Sequence, residues 1–246
     1  MIIIGGRAHN IKQIHEVGRL KYPFAEISLE DPEEISKQID ELLELKEKYG
    51  IYYLAHFPNE GNPTDTTALK NEFVPKMKKL FDLSHLLGIT KGTMHFWIDV
   101  GRAPQKLITQ KIDLLSEMVA FANHKKLMLC IENLTERYES FSMALETIPD
   151  LRMTMDIGHG ELIYEENTCF GFMQNLFHMI EHVHVHDNHG GTNVKDDLHL
   201  ALGEGVVDYP QILSILKSRN YNSTITMEVL PSDMPKTKDE VEKYLS

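Results

Sequence analysis

Nine side chains of metal-ligand type ask for a chemical explanation: His56, His95, Glu132, Asp156, His159, His184 (or His186), Asp197, His199 and Glu228. Several close an otherwise apolar run, as in Leu127-Met-Leu-Cys-Ile-Glu132 and Thr224-Ile-Thr-Met-Glu228. Gathering that many ionisable groups in a buried place is costly unless cations neutralise them. Asp156 and His159 lie three apart on a turn and can face one cleft, while Asp197-Leu198-His199 sets an acid and a histidine two apart, able to clamp one ion. The mixed histidine and carboxylate set suits Zn²⁺, with Mn²⁺ or Fe²⁺ as alternatives, and is too rich in nitrogen for Ca²⁺ or Mg²⁺. Nine ligands exceed what one ion uses, so two or three ions are expected, with Glu132 or another carboxylate bridging.

The elements that must position these groups follow from periodicity. Short β-rich runs alternate with segments of helical period: Ile2 to Gly5, Phe24 to Leu29, Ile51 to His56, Lys91 to Phe96, Leu127 to Glu132, Arg152 to Asp156, His182 to His186 and Ser223 to Val229. Between them run apolar stripes at Ile35/Ile39/Leu42/Leu43, at Leu69/Phe73/Met77/Leu80/Phe81 and at Ile108/Ile112/Leu115/Met118/Val119. Asp31-Pro32-Glu33-Glu34 reads as a helix start, with a capping acid, proline at the first helical position and acids at the positive end of the dipole. Eight strands alternating with helices over 246 residues predict an α/β fold, a single (β/α)8 TIM barrel spanning 1–246. An open doubly wound sheet is the alternative, but no G-x-G-x-x-G or phosphate-loop motif follows the first run. In such a barrel the strand C-termini form the active face, and six strands end on a metal-ligand type there. Period two puts His182, His184 and His186 on one face of their strand; His182, the deepest, fills a barrel layer, and His184 and His186 compete for the metal.

Composition narrows the class. A formal charge of −12, 42% hydrophobic and 25% charged residues describe an ordinary globular chain and argue against generic polyanion binding, though not against a local basic groove. Cys130 and Cys169 are too few for a disulfide framework, and no apolar run is long enough for a membrane span, so a cytoplasmic protein without a membrane partner is expected. No obligate protein partner is readable.

Together, Ile131-Glu132-Asn133, Asp156-Ile157-Gly158-His159, His184-Val185-His186-Asp187-Asn188, Leu202-Gly203-Glu204-Gly205 and Met227-Glu228-Val229 resemble the xylose-isomerase-like barrel superfamily (AP endonuclease family 2) over nearly the whole chain. In its isomerases and epimerases the counterparts of Glu132, Asp156, His184 and Glu228 hold one divalent ion. Endonuclease IV is similar at those four and also at His56, His95, His159, Asp197 and His199. That resemblance implies one zinc on His56, His95 and Glu132, a second on Glu132, Asp156, His184 and Glu228, and a third on His159, Asp197 and His199. The match at His-x-x-Asp-Asn selects His184 over His186. The chain departs from the endonucleases at Gly6-Arg7, where they have Gly-Ala-His, and after the second strand, where Leu29-Glu30-Asp31-Pro32 replaces a loop carrying arginine and aromatic residues into DNA.

The leading expectation is thus a metal-dependent phosphoester hydrolase of endonuclease IV type with a di- or trinuclear zinc site, acting on abasic DNA or a related sugar phosphate. The alternative is a divalent-metal-dependent sugar or sugar-phosphate isomerase or epimerase, with one Mn²⁺ or Zn²⁺. In both, Glu132 and Glu228 are the catalytic carboxylates; in the alternative they are an acid/base pair. A barrel that binds its ligand without turnover is a third reading. Arg7, Trp97, His186 and Lys195 are candidate substrate contacts, together with Arg102 and Arg137. Phe57 and Phe96 are candidates for an apolar wall beside Trp97, and Asp187 and Asn188 for orienting histidine ligands.

Overall fold

The computed structural model describes residues 2–245. Eight parallel strands close into one barrel in chain order: β1 (Ile3–Ala8), β2 (Phe24–Ser28), β3 (Tyr52–His56), β4 (Lys91–His95), β5 (Met128–Glu132), β6 (Arg152–Asp156), β7 (Ile180–Val185) and β8 (Thr224–Met227). Closure is made by β8 pairing with β1 from Ile3↔Thr224 to Gly6↔Met227, which leaves no open sheet edge. The helices are α1 (Ile11–Arg19), α2 (Pro32–Tyr49), the single turn α3 (Thr66–Ala68), α4 (Val74–Leu86), α5 (Gln105–His124), α6 (Tyr138–Thr147), α7 (Cys169–Asn175), α8 (Tyr209–Ser218) and α9 (Met234–Leu245). The (β/α)8 expectation holds.

Local chemistry sets the boundaries. Asp31 caps α2 as expected, its carboxylate accepting from the amides of Glu33 (2.9 Å) and Glu34 (3.1 Å) with Pro32 in the first turn. Gly50, at φ +64, ends that helix in the left-handed conformation that glycine takes without strain. Three expectations shift. The first strand continues through Gly5-Gly6-Arg7-Ala8 instead of ending at Gly5. These glycines serve close packing: a Cβ on Gly5 would lie 2.6 Å from the Phe24 ring and one on Gly6 2.5 Å from the Met234 sulfur. The stripe from Leu69 to Phe81 is broken by a wide turn at Leu69–Phe73 before α4, where Pro75 cannot donate to the preceding turn. The seventh strand begins at Ile180 and ends at Val185, leaving His186 just beyond it.

The apolar core is the sheath between strands and helices, to which the strands give Ala25, Ile27, Met94, Ile131, Met155, Val183 and Ile225 and the helices give the stripes of α2, α4 and α5. The barrel interior is different in kind. Hydrogen bonds between non-neighbouring strands must cross it: Thr93 to Thr154 (2.8 Å), Glu26 to His182 (2.9 Å), and Lys91 Nζ to Ser223 Oγ (2.8 Å) and Thr224 Oγ1 (2.9 Å). A polar column therefore rises from Lys91 at the floor, through His182 and Glu26, to the mouth, where most such barrels stack branched aliphatic side chains.

Candidate metal centre

At the mouth, every candidate carboxylate and histidine converges. Glu132, at the end of β5, is fully buried, with Oε1 accepting from His184 Nδ1 at 2.7 Å and Oε2 lying 3.3 Å from His56 Nε2 and 3.2 Å from His95 Nε2. The same His184 Nδ1 is 3.7 Å from Asp156 Oδ2 and 3.3 Å from Glu228 Oε2. Asp197 Oδ2 accepts from His159 Nε2 at 3.2 Å and from His199 Nε2 at 3.1 Å. Five groups of close donor atoms result, each with its atoms within 4.8 Å of one another: His56, His95 and Glu132; Glu132, Asp156, His184 and Glu228; His159, His186, Asp197 and His199; and two more that share His184, one with His56 and Glu228 and one with Glu26 and His182.

The rings are held so that one nitrogen faces inward. His56 Nδ1 donates to Phe57 O (3.2 Å), His159 Nδ1 to Asn133 O (3.1 Å) and His199 Nδ1 to Glu228 O (2.9 Å), and a carbonyl can only accept. His184 is committed the other way, its Nε2 bonded to Glu26 at 3.0 Å, which leaves Nδ1 for the cluster. This is the arrangement of metal-binding histidines, whose far nitrogen is tied to a carbonyl or carboxylate. Three inward oxygens, Glu132 Oε2, Asp156 Oδ2 and Glu228 Oε2, are buried with no hydrogen-bond partner among the described residues. Leaving such carboxylate oxygens unsatisfied is expensive, and a divalent cation is the group that would satisfy all three at once. The residues fit a metal.

Electrostatics among the side chains say the same. Burial alone would push Glu132 and Glu228 up, but the histidines around them, His95 and His184 for the first and His184 for the second, hold both well below the usual carboxylate range. Burial pulls His159 and His184 down, yet Asp156 and Asp197 around the first and Glu26, Glu132 and Glu228 around the second raise both well above an ordinary histidine. Burial dominates at His95, pushed down to about 4. The cluster thus prefers ionised carboxylates facing positive partners, a role that protons on histidine and metal cations share.

All nine candidate ligands are brought together. His184 and His186, expected to compete, instead enter different groups, because the chain turns after Val185 and carries His186 toward Asp197. His182 does fill a layer below, bonded to Glu26, Thr224 and Thr226. Arg7, a candidate substrate contact, is buried in β1 with Nε 3.2 Å from Glu228 Oε1 and its other nitrogens on Glu26 O and Ser28 Oγ, so it braces a carboxylate. Trp97 is half-buried at the rim and Lys195 is exposed on the loop after β7. Phe57 and Phe96 are core, packed on Phe81 and Phe73, and form no wall. Arg102 pairs with Asp99 and Arg137 stacks on Tyr164. Among the described residues Asp187 and Asn188 make no hydrogen bond to a candidate ligand ring: Asp187 accepts from the amides of Gly203, Gly205 and Val207 and so anchors the 203–207 loop, and Asn188 donates to Gly158 O.

Two residues that hold the site in place have no role that the sequence alone assigns. Glu26 is fully buried and supports His184, His182 and Thr226 with one carboxylate. Its signal is a lone acid inside Phe24-Ala-Glu-Ile-Ser28. Asn133 exchanges hydrogen bonds with both backbone groups of Asp156 and receives His159 on its carbonyl, which locks β5 to the turn after β6.

The profile of the xylose isomerase-like TIM barrel family matches residues 14–245. The chain belongs to this family. Among its relatives, an uncharacterised protein of Methanocaldococcus jannaschii is 28% identical over 231 residues, 85% of this chain and 75% of that one. As a xylose isomerase-like barrel it superposes on the solved structure of a D-tagatose 3-epimerase-like protein with a TM-score of 0.83 at 24% identity, covering 99% of this chain and 97% of that one. The IOLI protein, whose structure holds a zinc atom, gives 0.78 at 15%, covering 99% and 98%, and a D-psicose 3-epimerase of Clostridium cellulolyticum, solved with D-tagatose, gives 0.74 at 14%, covering 100% and 99%. Among the described residues no helix is long and apolar enough to cross a membrane.

Proposed function

We propose that the protein is a divalent-metal-dependent isomerase or epimerase of a small sugar or sugar phosphate, with Glu132 and Glu228 as its acid/base pair. The observation that carries this reading is the convergence of two carboxylates from different sides of the barrel, β5 and the end of β8, on one histidine nitrogen, each keeping an unpartnered buried oxygen toward the site. Glu132, Asp156, His184 and Glu228 would hold the ion, which polarises adjacent sugar oxygens and acidifies the neighbouring carbon-bound proton when bound. Glu228, braced by Arg7, and Glu132, flanked by His56 and His95, then remove that proton on one side and return it on another. The names of the epimerases whose folds resemble this chain support the same substrate class. We place the reaction in the cytoplasm, in keeping with two free, buried cysteines.

One observation favours a second reading, a phosphoester hydrolase: the flanking groups at His56/His95 and His159/Asp197/His199 would let further ions line up beside the central one. Abasic DNA fits poorly, since only Leu29, Glu30 and Asp31 separate β2 from the acidic start of α2, where an intruding loop would be needed. Assays of zinc- and manganese-loaded protein on a ketose, aldose and sugar-phosphate panel, beside a nitrophenyl phosphodiester and an abasic duplex, decide the matter. Interconversion of sugars, abolished in Glu228→Gln, is the expected result; phosphodiester cleavage with an inert sugar panel would overturn it.

A further inference from the structure

We propose that His159, His186, Asp197 and His199 form a closed, four-ligand zinc site that clamps the loop after β7 and offers no open position to substrate. The resemblance in sequence assigns three of these residues; the structure adds the fourth. His186 is fully buried, and neither of its ring nitrogens has a hydrogen-bond partner among the described residues. Its Nε2 faces Asp197 Oδ1 at 3.9 Å, itself a buried oxygen without a partner. Asp156 Oδ1 is nearer, at 3.0 Å, but lies off the direction of a hydrogen bond to the ring and accepts the amide of His159 at 2.7 Å. The ring stacks on His199 at 4.2 Å between centroids and meets His159 edge-on at 5.3 Å, so three imidazoles surround Asp197. Its seat exists only because residue 158 is glycine: a Cβ there would fall inside the His186 ring.

Three protein ligands leave a coordination position for water or substrate, as in catalytic zinc sites, whereas four close the shell, as in structural ones. Three imidazoles with one carboxylate also favour zinc over manganese or magnesium. The mechanical consequence follows from where the four residues sit. His159 belongs to the turn after β6, His186 to the exit of β7, and Asp197 and His199 to the return arm of a loop whose ends meet at the Asp187–Leu200 bridge. Apolar packing holds little of that loop, whose ties are polar, Asp196 to the amides of Thr192 and Asn193 and His199 to Glu228 O: Gly191 to Asn193 and Leu198 are exposed, and His199 sits at φ +48, a left-handed conformation that costs a non-glycine residue energy. An ion bonded to four protein atoms replaces the apolar packing the loop lacks. This clamp does not rest on the sugar reading of the central site.

The test removes Glu132, the ligand common to the His56/His95 group and the central four-residue group, and reads whether the zinc that stays has a closed shell that depends on His186. Full-length Glu132→Gln, dialysed against a mild chelator, is expected to keep about one zinc per chain. Its cobalt-substituted form is expected to show the intense visible bands of a four-coordinate ion, unmoved by azide or inorganic phosphate. Adding His186→Ala should weaken zinc binding at least about tenfold, in the range seen when support of a metal is removed, and make the cobalt bands respond to azide. Loss of all zinc from Glu132→Gln, or bands that shift with azide or phosphate while His186 is present, would overturn the proposal. These spectra need only the single variant, so a double variant that fails to fold leaves the decision intact. None of the readouts uses turnover, so failure of the sugar panel and failure of the clamp are separate results.

Discussion

Two neighbouring clusters at the barrel mouth are built from the same residue types in inverse proportion. The central one has three carboxylates, Glu132, Asp156 and Glu228, around one histidine, His184; its neighbour has three histidines, His159, His186 and His199, around one carboxylate, Asp197. The first leaves three carboxylate oxygens without partners and is backed by Arg7 and Glu26, while the second fixes two of its rings on backbone carbonyls. The difference separates roles. Carboxylates beside a reacting carbon can carry protons, whereas imidazoles tied at their far nitrogen can only hold.

The contrast breaks most visibly at the proton carriers. Glu228→Gln keeps the shape of the central cluster but removes its base, and turnover should fall about 10²–10⁴-fold in steady-state assays, with zinc still bound at the histidine-rich cluster. A smaller effect sharpens what the histidines do. Glu136, four residues after Glu132, is equally deprived of water but has amide donors instead of histidines, and burial pushes it up to about 7. The folded protein therefore binds an extra proton there between an unfolded value near 4.5 and about 7, so its contribution to stability is present below that window and is lost as pH rises through it. Denaturant titrations of Glu136→Gln should show this loss, up to about 3 kcal/mol, flattened across pH 5 to 7. Smaller still is the effect of support from beneath. Glu26→Gln should lower zinc affinity at the central cluster about 10–100-fold in competitive chelator titrations, while affinity at the histidine-rich cluster stays as it is. Equal losses at both would erase the distinction drawn between them.

Much of this was legible in the sequence, for physical reasons. Apolar runs ending in His or Glu mark strand C-termini in a parallel barrel, so all nine candidate ligands could be named from pattern and resemblance. What pattern does not carry is the stagger that decides which residues of non-neighbouring strands meet across the interior. Glu26 of β2 reaches His182 and His184 of β7 only through the closed barrel, and Arg7 reaches Glu228 because β1 and β8 close it. Likewise, strict alternation puts His184 and His186 on one face, and only the turn after Val185 sends them to different clusters. Phe57 and Phe96 follow candidate ligands by one, the spacing that in a strand sends a side chain outward, so they pack in the sheath and form no wall.

The central claim is proton transfer at carbon by the Glu132–Glu228 pair, and solvent isotope incorporation tests it most directly. Metal-loaded protein incubated with a turned-over sugar in D₂O should place deuterium on the carbon beside the carbonyl, read by proton NMR and mass shift, and Glu228→Gln should lose that exchange. Conversion of a substrate with no deuterium entering a carbon-bound position, or exchange that persists undiminished in Glu228→Gln, would contradict the account.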